Sequence, residues 1–276
     1  VHYLYLLVTL LFFSSLEVVT KPISGRVDPF FLTFFRFIVG GTFLILLAAL
    51  SKRRTERNDF PKLALVGCLN GVISMSLLQL SVKYSNASTA ATLVAMNPLF
   101  VGVFAQLLGK DRISKKKWLA MALGALGVIV LSSANVSGDS TFGIICGILA
   151  AISFALYTVL MKDFSSKYGA LLATAVSTFS AGVVYGVLLA IFRRLSLPHL
   201  TWPETFILLY VGIGVTGVAY VTFFKAIQRF GPVKTSVIFY LKPVVASLLA
   251  LLLLSETMNV QKIVGTAIVV VSLFLK

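Results

Sequence analysis

Carboxylates, histidines and cysteines are scarce in this chain: its 276 residues include nine Asp and Glu together, two His and two Cys. No HExxH, CxxC, Walker or GxSxG pattern supplies a metal, a phosphate cradle or an activated nucleophile. His2 and His199 both fall near the ends of apolar stretches, and the acidic residues lie mainly in loops. The expectation is therefore a protein that is not an enzyme, holds no metal and needs no cofactor. Cys68 and Cys146 sit inside apolar stretches, which argues against a disulfide framework. Charge is scarce as well: Asp, Glu, Lys and Arg make up 12% of the chain, against roughly 25% in a soluble domain.

Apolar sequence fills the space that charge leaves. Hydrophobic residues are 58% of the chain, the mean hydropathy is +0.99, and runs near 20 residues recur from end to end, each able to cross a hydrocarbon core about 30 Å thick as a helix. The pattern predicts an all-α integral membrane protein with ten spans, at 3–24, 29–50, 61–83, 87–109, 115–134, 142–162, 169–192, 204–228, 233–254 and 259–275. The first run has no basic leader and no small-residue cleavage site, so it is read as a retained helix. The lipid bilayer is then the medium around almost the whole chain.

The net charge of +15 does not point to nucleic acid, because the basic residues are parcelled among short loops. With the N-terminus in the cytoplasm, 16 Lys and Arg fall in inner loops, among them Arg57, Lys62, Lys110, Lys167 and Lys234, and 6 in outer ones. That bias orients a chain. It places both termini on the cytoplasmic side of a cytoplasmic membrane.

The two halves of the chain repeat. In one ungapped frame "ASTAATLVAMNPLFVGVFAQLLGKD" (87–111) lies over "PVKTSVIFYLKPVVASLLALLLLSE" (232–256), setting Pro98 on Pro243, Asp111 on Glu256 and, further on, Lys117 on Lys262. An earlier frame sets Phe13 on Phe154 and Lys21 on Lys162. Each half holds five spans, and five is odd, so the second half starts on the opposite side of the membrane. Inverted repeats of this kind are a common plan of secondary transporters, with the substrate site near the midplane.

The run 219–273, with a small-residue helix, a mid-helix proline, an apolar stretch, an acidic residue and a glycine-bearing last helix, resembles the second repeat of EamA-type transporters of the drug/metabolite transporter superfamily. Residues 84–131 resemble the first. The resemblance implies ten helices in two inverted five-helix repeats, 1–136 and 137–276, and alternating access. It also implies a small-molecule substrate such as an amino acid, another metabolite or a drug.

Lys242 and Pro243 carry the candidate chemistry. Lys242 lies about 11 Å along its helix at 1.5 Å per residue, where an ammonium costs on the order of 2.5–3.5 kcal/mol. Pro243 offers no N–H to the carbonyl of Phe239, and Pro98 leaves Val94 in the same position. Freed carbonyls are tolerated where they face protein or a wet cavity, so the two prolines are candidate helix breaks and gates. Lys242 is expected either to meet a carboxylate or phosphate of the substrate, or to pair with Glu17 inside the first helix. Glu17 in turn is a candidate for the substrate's amine or for proton coupling. Arg36 is expected near an interface, in a structural or snorkelling role.

Asn97 precedes Pro98 as Lys242 precedes Pro243, and joins the candidate set. Asn70, Ser74 and Ser81 share one side of the third span, expected to look inward. Tyr157, Tyr220, Phe224 and Phe239 are candidates for an aromatic wall around an organic substrate or cation. The pairs Gly67–Gly71, Gly143–Gly147 and Gly182–Gly186 read as close-packing positions.

These features suit a secondary transporter, monomeric or homodimeric, with export of an amino acid or similar zwitterion as the first expectation. A translocator of phosphorylated or nucleotide-linked metabolites would want a second buried base. A drug or cation exporter would use the aromatic wall, and a lipid-modifying membrane enzyme would want acidic residues or histidines gathered at one face.

Overall fold

The computed structural model describes residues 2–23, 26–50, 55–85, 87–132, 140–193, 200–254 and 260–274. Among them there is helix and loop and no strand. Ten helices follow one another: α1 (His2–Thr20), α2 (Pro29–Ala49), α3 (Phe60–Tyr84), α4 (Ala87–Ala95, then Asn97–Leu107), α5 (Lys115–Ser132), α6 (Thr141–Tyr168), α7 (Ala170–Ile191), α8 (Trp202–Phe230), α9 (Pro232–Ser236, then Ile238–Leu254) and α10 (Val260–Phe274). Six of them, α1, α2, α3, α6, α7 and α8, are long and apolar enough to cross a membrane unaided, and shorter apolar stretches run over Thr92–Leu107 and Ile263–Ser272. The chain is an all-α, multi-pass membrane protein.

Local chemistry sets the helix starts. Asp28 accepts hydrogen bonds from the backbone N–H groups of Phe30 and Phe31 at 2.8 and 3.0 Å, and Pro29 takes the first helical position, where its missing N–H costs nothing. At α8 the Thr201 N–H and hydroxyl both donate to Glu204 Oε2 at 2.8 Å, and Arg26 reaches the other carboxylate oxygen at 3.4 Å. Between α6 and α7, and between α8 and α9, the chain turns on a single glycine: Gly169 and Gly231 have φ of 87° and 82°, a region that side chains with a Cβ enter at a cost.

The helices pack as two compact units. The first comprises Val1–Ser76 and Leu160–Arg229, the second Leu77–Val159 and Phe230–Lys276. In the first, α2 packs along α7 and against α8, and α3 against α7. Gly67 brings the α3 backbone onto that of α7 at Ser177, and Gly182 brings α7 onto α2 at Ile38. A small core of Ile23, Val27, Phe31 and Leu208 closes one end.

In the second unit α5 packs along α10. Ala95, Ala125, Val128, Tyr240, Val244 and Val269 form one core cluster there, and Val101, Ala105, Met121, Ala155, Val159 and Val233 another. The Tyr240 hydroxyl, 1% exposed, donates to the Met121 carbonyl at 2.7 Å and so ties α9 to α5.

Outside the spans of the first unit, Asp59 fastens the start of α3 to the end of α6. Its Oδ2 accepts from Lys167 Nζ at 2.8 Å and from the Tyr168 hydroxyl at 2.6 Å, and Glu56 meets the same ammonium at 2.9 Å. The Lys167 hydrogen bond first, and that of Tyr168 second, hold the Asp59 carboxyl down at about 2 against an ordinary 3.8. A carboxyl depressed in the folded state adds stability that is complete above its ordinary value and is lost as pH falls through the folded one. Wild type is therefore expected to melt above Asp59→Asn at pH 7, with the gap narrowing below pH 4 and closing near pH 2. Thermal midpoints in detergent across that range check it.

Candidate functional site

The polar residues of α3 expected to face inward are buried, and a break in regular helix geometry holds two of them, Asn70 and Ser74. Within α3 the segment Leu69–Ser74 is π-helical, a geometry that shifts the hydrogen-bond register and recurs at functional sites. It contains Asn70 and Ser74, each 1% exposed. Asn70 Nδ2 donates to the Tyr220 hydroxyl of α8 at 3.2 Å, while Asn70 Oδ1 has no partner among the described residues. Tyr220 lies just past a second π-helical segment, Tyr210–Val218 of α8, and its ring meets Phe13 edge-on at 5.2 Å and Phe37 at 6.4 Å. All of these residues belong to the first unit. Ser81, on the later part of α3, belongs to the second and is fully buried.

The second unit has a comparable element at Asn97. Helix α4 stops at Ala95 and restarts at Asn97, with Met96 (φ −74°, ψ 0°) between the pieces and Pro98 in the first turn of the new one. Asn97 is fully buried. Its Nδ2 donates to the Ala151 carbonyl of α6 at 3.4 Å, and its Oδ1 has no partner among the described residues. Pro243 differs from Pro98 in this respect. It lies inside the continuous helix Ile238–Leu254, and the interruption of α9 falls earlier, at Val237. The sequence treats the two prolines as equivalent breaks, but the backbone breaks at Pro98 and passes through Pro243.

Lys242 is half-buried on α9 and is engaged rather than free. Glu17 belongs to α1, and its side chain lies outside the described residues, as do Glu256 and His199. The four candidate aromatics divide two and two. Tyr220 and Phe224 lie in the first unit, with Phe224 fully buried and edge-on to Phe223 at 5.3 Å. Tyr157 and Phe239 lie in the second, both against Phe154, at 6.0 and 5.4 Å. Within each unit the rings pack on one another as well as on their helices.

Arg36 departs most from its sequence reading. It is 6% exposed, alone among the described lysines and arginines in being buried, so its head group does not reach solvent at the protein surface as snorkelling requires. Its Nη2 points at Met75 Sδ, 3.7 Å away, and its guanidinium carbon stands 5.3 Å from the Phe37 ring centroid. Its Nε has no partner among the described residues. Seven residues of helix suggest a shallow position, and only the packing of α2 within its unit reveals that the side chain is enclosed. Among the described residues no three His, Cys, Asp or Glu come together as a metal site.

Comparison with known proteins agrees with this architecture. The EamA-like transporter family matches the chain twice, over residues 2–133 and 141–275. An uncharacterized transporter of Clostridium kluyveri is 30% identical over 98% of this chain and 90% of its own length. The uncharacterized transporter YdfC of Bacillus subtilis is 25% identical over 88% and 79%, and a chloroplastic WAT1-related protein of Arabidopsis thaliana is 25% identical over 96% and 66%. A crystal structure 18% identical in sequence superposes with a TM-score of 0.84 over 99% of this chain and 96% of that one, which is a likeness of fold. With ten apolar helices, buried polar residues at helix breaks and a match that runs through both halves, the chain belongs to the EamA-like transporter family of the drug/metabolite transporter superfamily.

Proposed function

We propose that this transporter moves a small zwitterionic metabolite, an amino acid or a close analogue, out of the cell by alternating access. One observation carries the reading: each unit holds, at a break in a membrane helix, a fully enclosed asparagine whose side-chain carbonyl lacks a donor, Asn70 in one and Asn97 in the other. A buried acceptor left unsatisfied is costly. A cargo ammonium offers N–H groups of the kind that each of these oxygens lacks. In this reading Lys242 takes the carboxylate, while Glu17 holds the amine or couples a proton to the cycle. Pro98 and the α9 interruption allow the helices to flex. The distribution of loop charge supports a cytoplasmic membrane with both termini inside, and the working unit is a monomer or a homodimer.

The test is counterflow in proteoliposomes with a panel of labelled L-amino acids, run on wild type and Lys242→Met. Saturable flux that falls at least tenfold in the variant is expected. Equal transport by the two proteins would sink the assignment of Lys242, and flux that fails to saturate would indicate a channel.

A further inference from the structure

A guanidinium remains protonated at any pH a protein meets, and it carries five N–H donors in a rigid fork. Arg36 holds such a group in the membrane-spanning part of the first unit with little to satisfy it. Its described partners are a thioether, which is a weak acceptor, and one aromatic face. No described carboxylate pairs with it. An ionisable side chain enclosed in a membrane protein is expensive and marks function unless a partner neutralises it. Among the described residues neither usual structural explanation applies: no carboxylate meets the guanidinium, and snorkelling needs a path to water, whereas Arg36 is 6% exposed.

The residue after Met75 links to a tyrosine hydroxyl of the same unit. Met75 follows directly on the π-helical segment of α3. Its neighbour Ser76 donates to the Tyr185 hydroxyl of α7 at 3.4 Å, which leaves the Tyr185 proton available to a further acceptor. Tyr185 is itself 3% exposed. A fork of N–H groups, in the same unit as one uncommitted hydroxyl proton, matches an oxyanion, carboxylate or phosphate, in charge and in donor geometry. We propose that Arg36 is the oxyanion anchor of a solute site in the first unit, with Tyr185, its hydroxyl oriented by Ser76, as accessory donor. The proposal rests on the transporter reading above but not on Lys242.

The experiment uses the purified full chain in detergent. Thermal midpoints are recorded against L-alanine, L-leucine and L-glutamate, their carboxamides, inorganic phosphate and added phosphatidylglycerol, for wild type, Arg36→Met, Arg36→Lys and Lys242→Met. A ligand that binds the folded state raises the midpoint by mass action. The expected result is that carboxylates or phosphate shift wild type and carboxamides do not. Arg36→Met then needs at least tenfold more probe for the same shift, with Arg36→Lys in between. Without ligand, Arg36→Met is expected to melt at or above wild type, because an uncompensated charge has been removed.

Whether carboxylates or phosphate act decides between a zwitterionic and a phosphorylated cargo. Unchanged probe dependence in Arg36→Met overturns the anchor, as does a shift given by phosphatidylglycerol and by no soluble probe. Counterflow on the same variants keeps the two readings apart. Saturable flux that Arg36→Met leaves intact removes only the anchor, whereas no saturable flux with any solute removes the transporter reading.

Discussion

Replacing Gly67 by leucine is expected to abolish recovery of folded protein. A Cβ added at this position would lie 2.7 and 2.8 Å from the carbonyl carbon and Cα of Ser177 on α7, with the carbonyl oxygen closer still. These are backbone atoms and have no rotamer by which to withdraw. Helix α3 would have to leave α7, and in lipid nothing hydrophobic holds two helices together once their van der Waals contact is lost. Overpacking of an interior costs about 1–3 kcal/mol even where side chains can adjust. Here they cannot, and the rest of the leucine follows the Cβ. Gly109→Ala is the control: its φ of 64° strains any other residue, yet nothing lies within 4 Å, so a loss of only about 1–2 kcal/mol is expected. Size-exclusion profiles and thermal midpoints of the two variants make the comparison. A monodisperse Gly67→Leu that melts like wild type would show that α3 and α7 do not approach as described.

The ten helices were legible because a membrane helix declares itself by length and apolarity alone. The runs predicted at 29–50, 61–83 and 233–254 fall within a residue or so of Pro29–Ala49, Phe60–Tyr84 and the end of α9 at Leu254. Helix α6 runs on past its predicted end at 162 to Tyr168, where Lys167 and Tyr168 reach Asp59. That partner is remote in sequence, so hydropathy gives no sign of it. The π-helical segments of α3 and α8 were not legible either, since a shift from i→i−4 to i→i−5 bonding leaves composition untouched. Nor was the break at Val237, because proline marks where a helix lacks a hydrogen bond and not where the backbone yields.

The candidate site was legible by residue type and not by grouping. Asn70 is picked out by its spacing from Ser74 and Ser81, and Asn97 by its place before Pro98, as Lys242 precedes Pro243. Arg36 was visible as a charge, but its depth depends on α3 and α7, which no local window contains. The chain's sequence repeat and its packing units are also different divisions. The family model matches residues 2–133 and 141–275 in turn, while each compact unit draws helices from both halves. A sequence comparison detects common ancestry of segments, whereas packing depends on which faces meet.

Asn70→Leu is expected to leave the fold intact and remove most of the transport. The leucine fills a similar volume and takes away an acceptor that has no partner among the described residues, Asn70 Oδ1. It also takes away the donor to Tyr220. Interhelical hydrogen bonds in membrane proteins average about 0.6 kcal/mol, and eliminating the buried unpaired oxygen offsets a cost of that size. The thermal midpoint should therefore barely move. A hydrogen bond from a cargo ammonium to that oxygen involves a charged donor and contributes about 1.5–3 kcal/mol. Its loss corresponds to roughly a 10- to 100-fold fall in kcat/KM. Tyr220→Phe keeps the acceptor and loses only the group that orients the amide, so a smaller loss of transport is expected. If Asn70 were merely glue between α3 and α8, the opposite pattern would follow: a lowered midpoint, with counterflow per folded molecule equal to wild type. Measuring both quantities on the two variants separates a ligand for the cargo from a tie between helices.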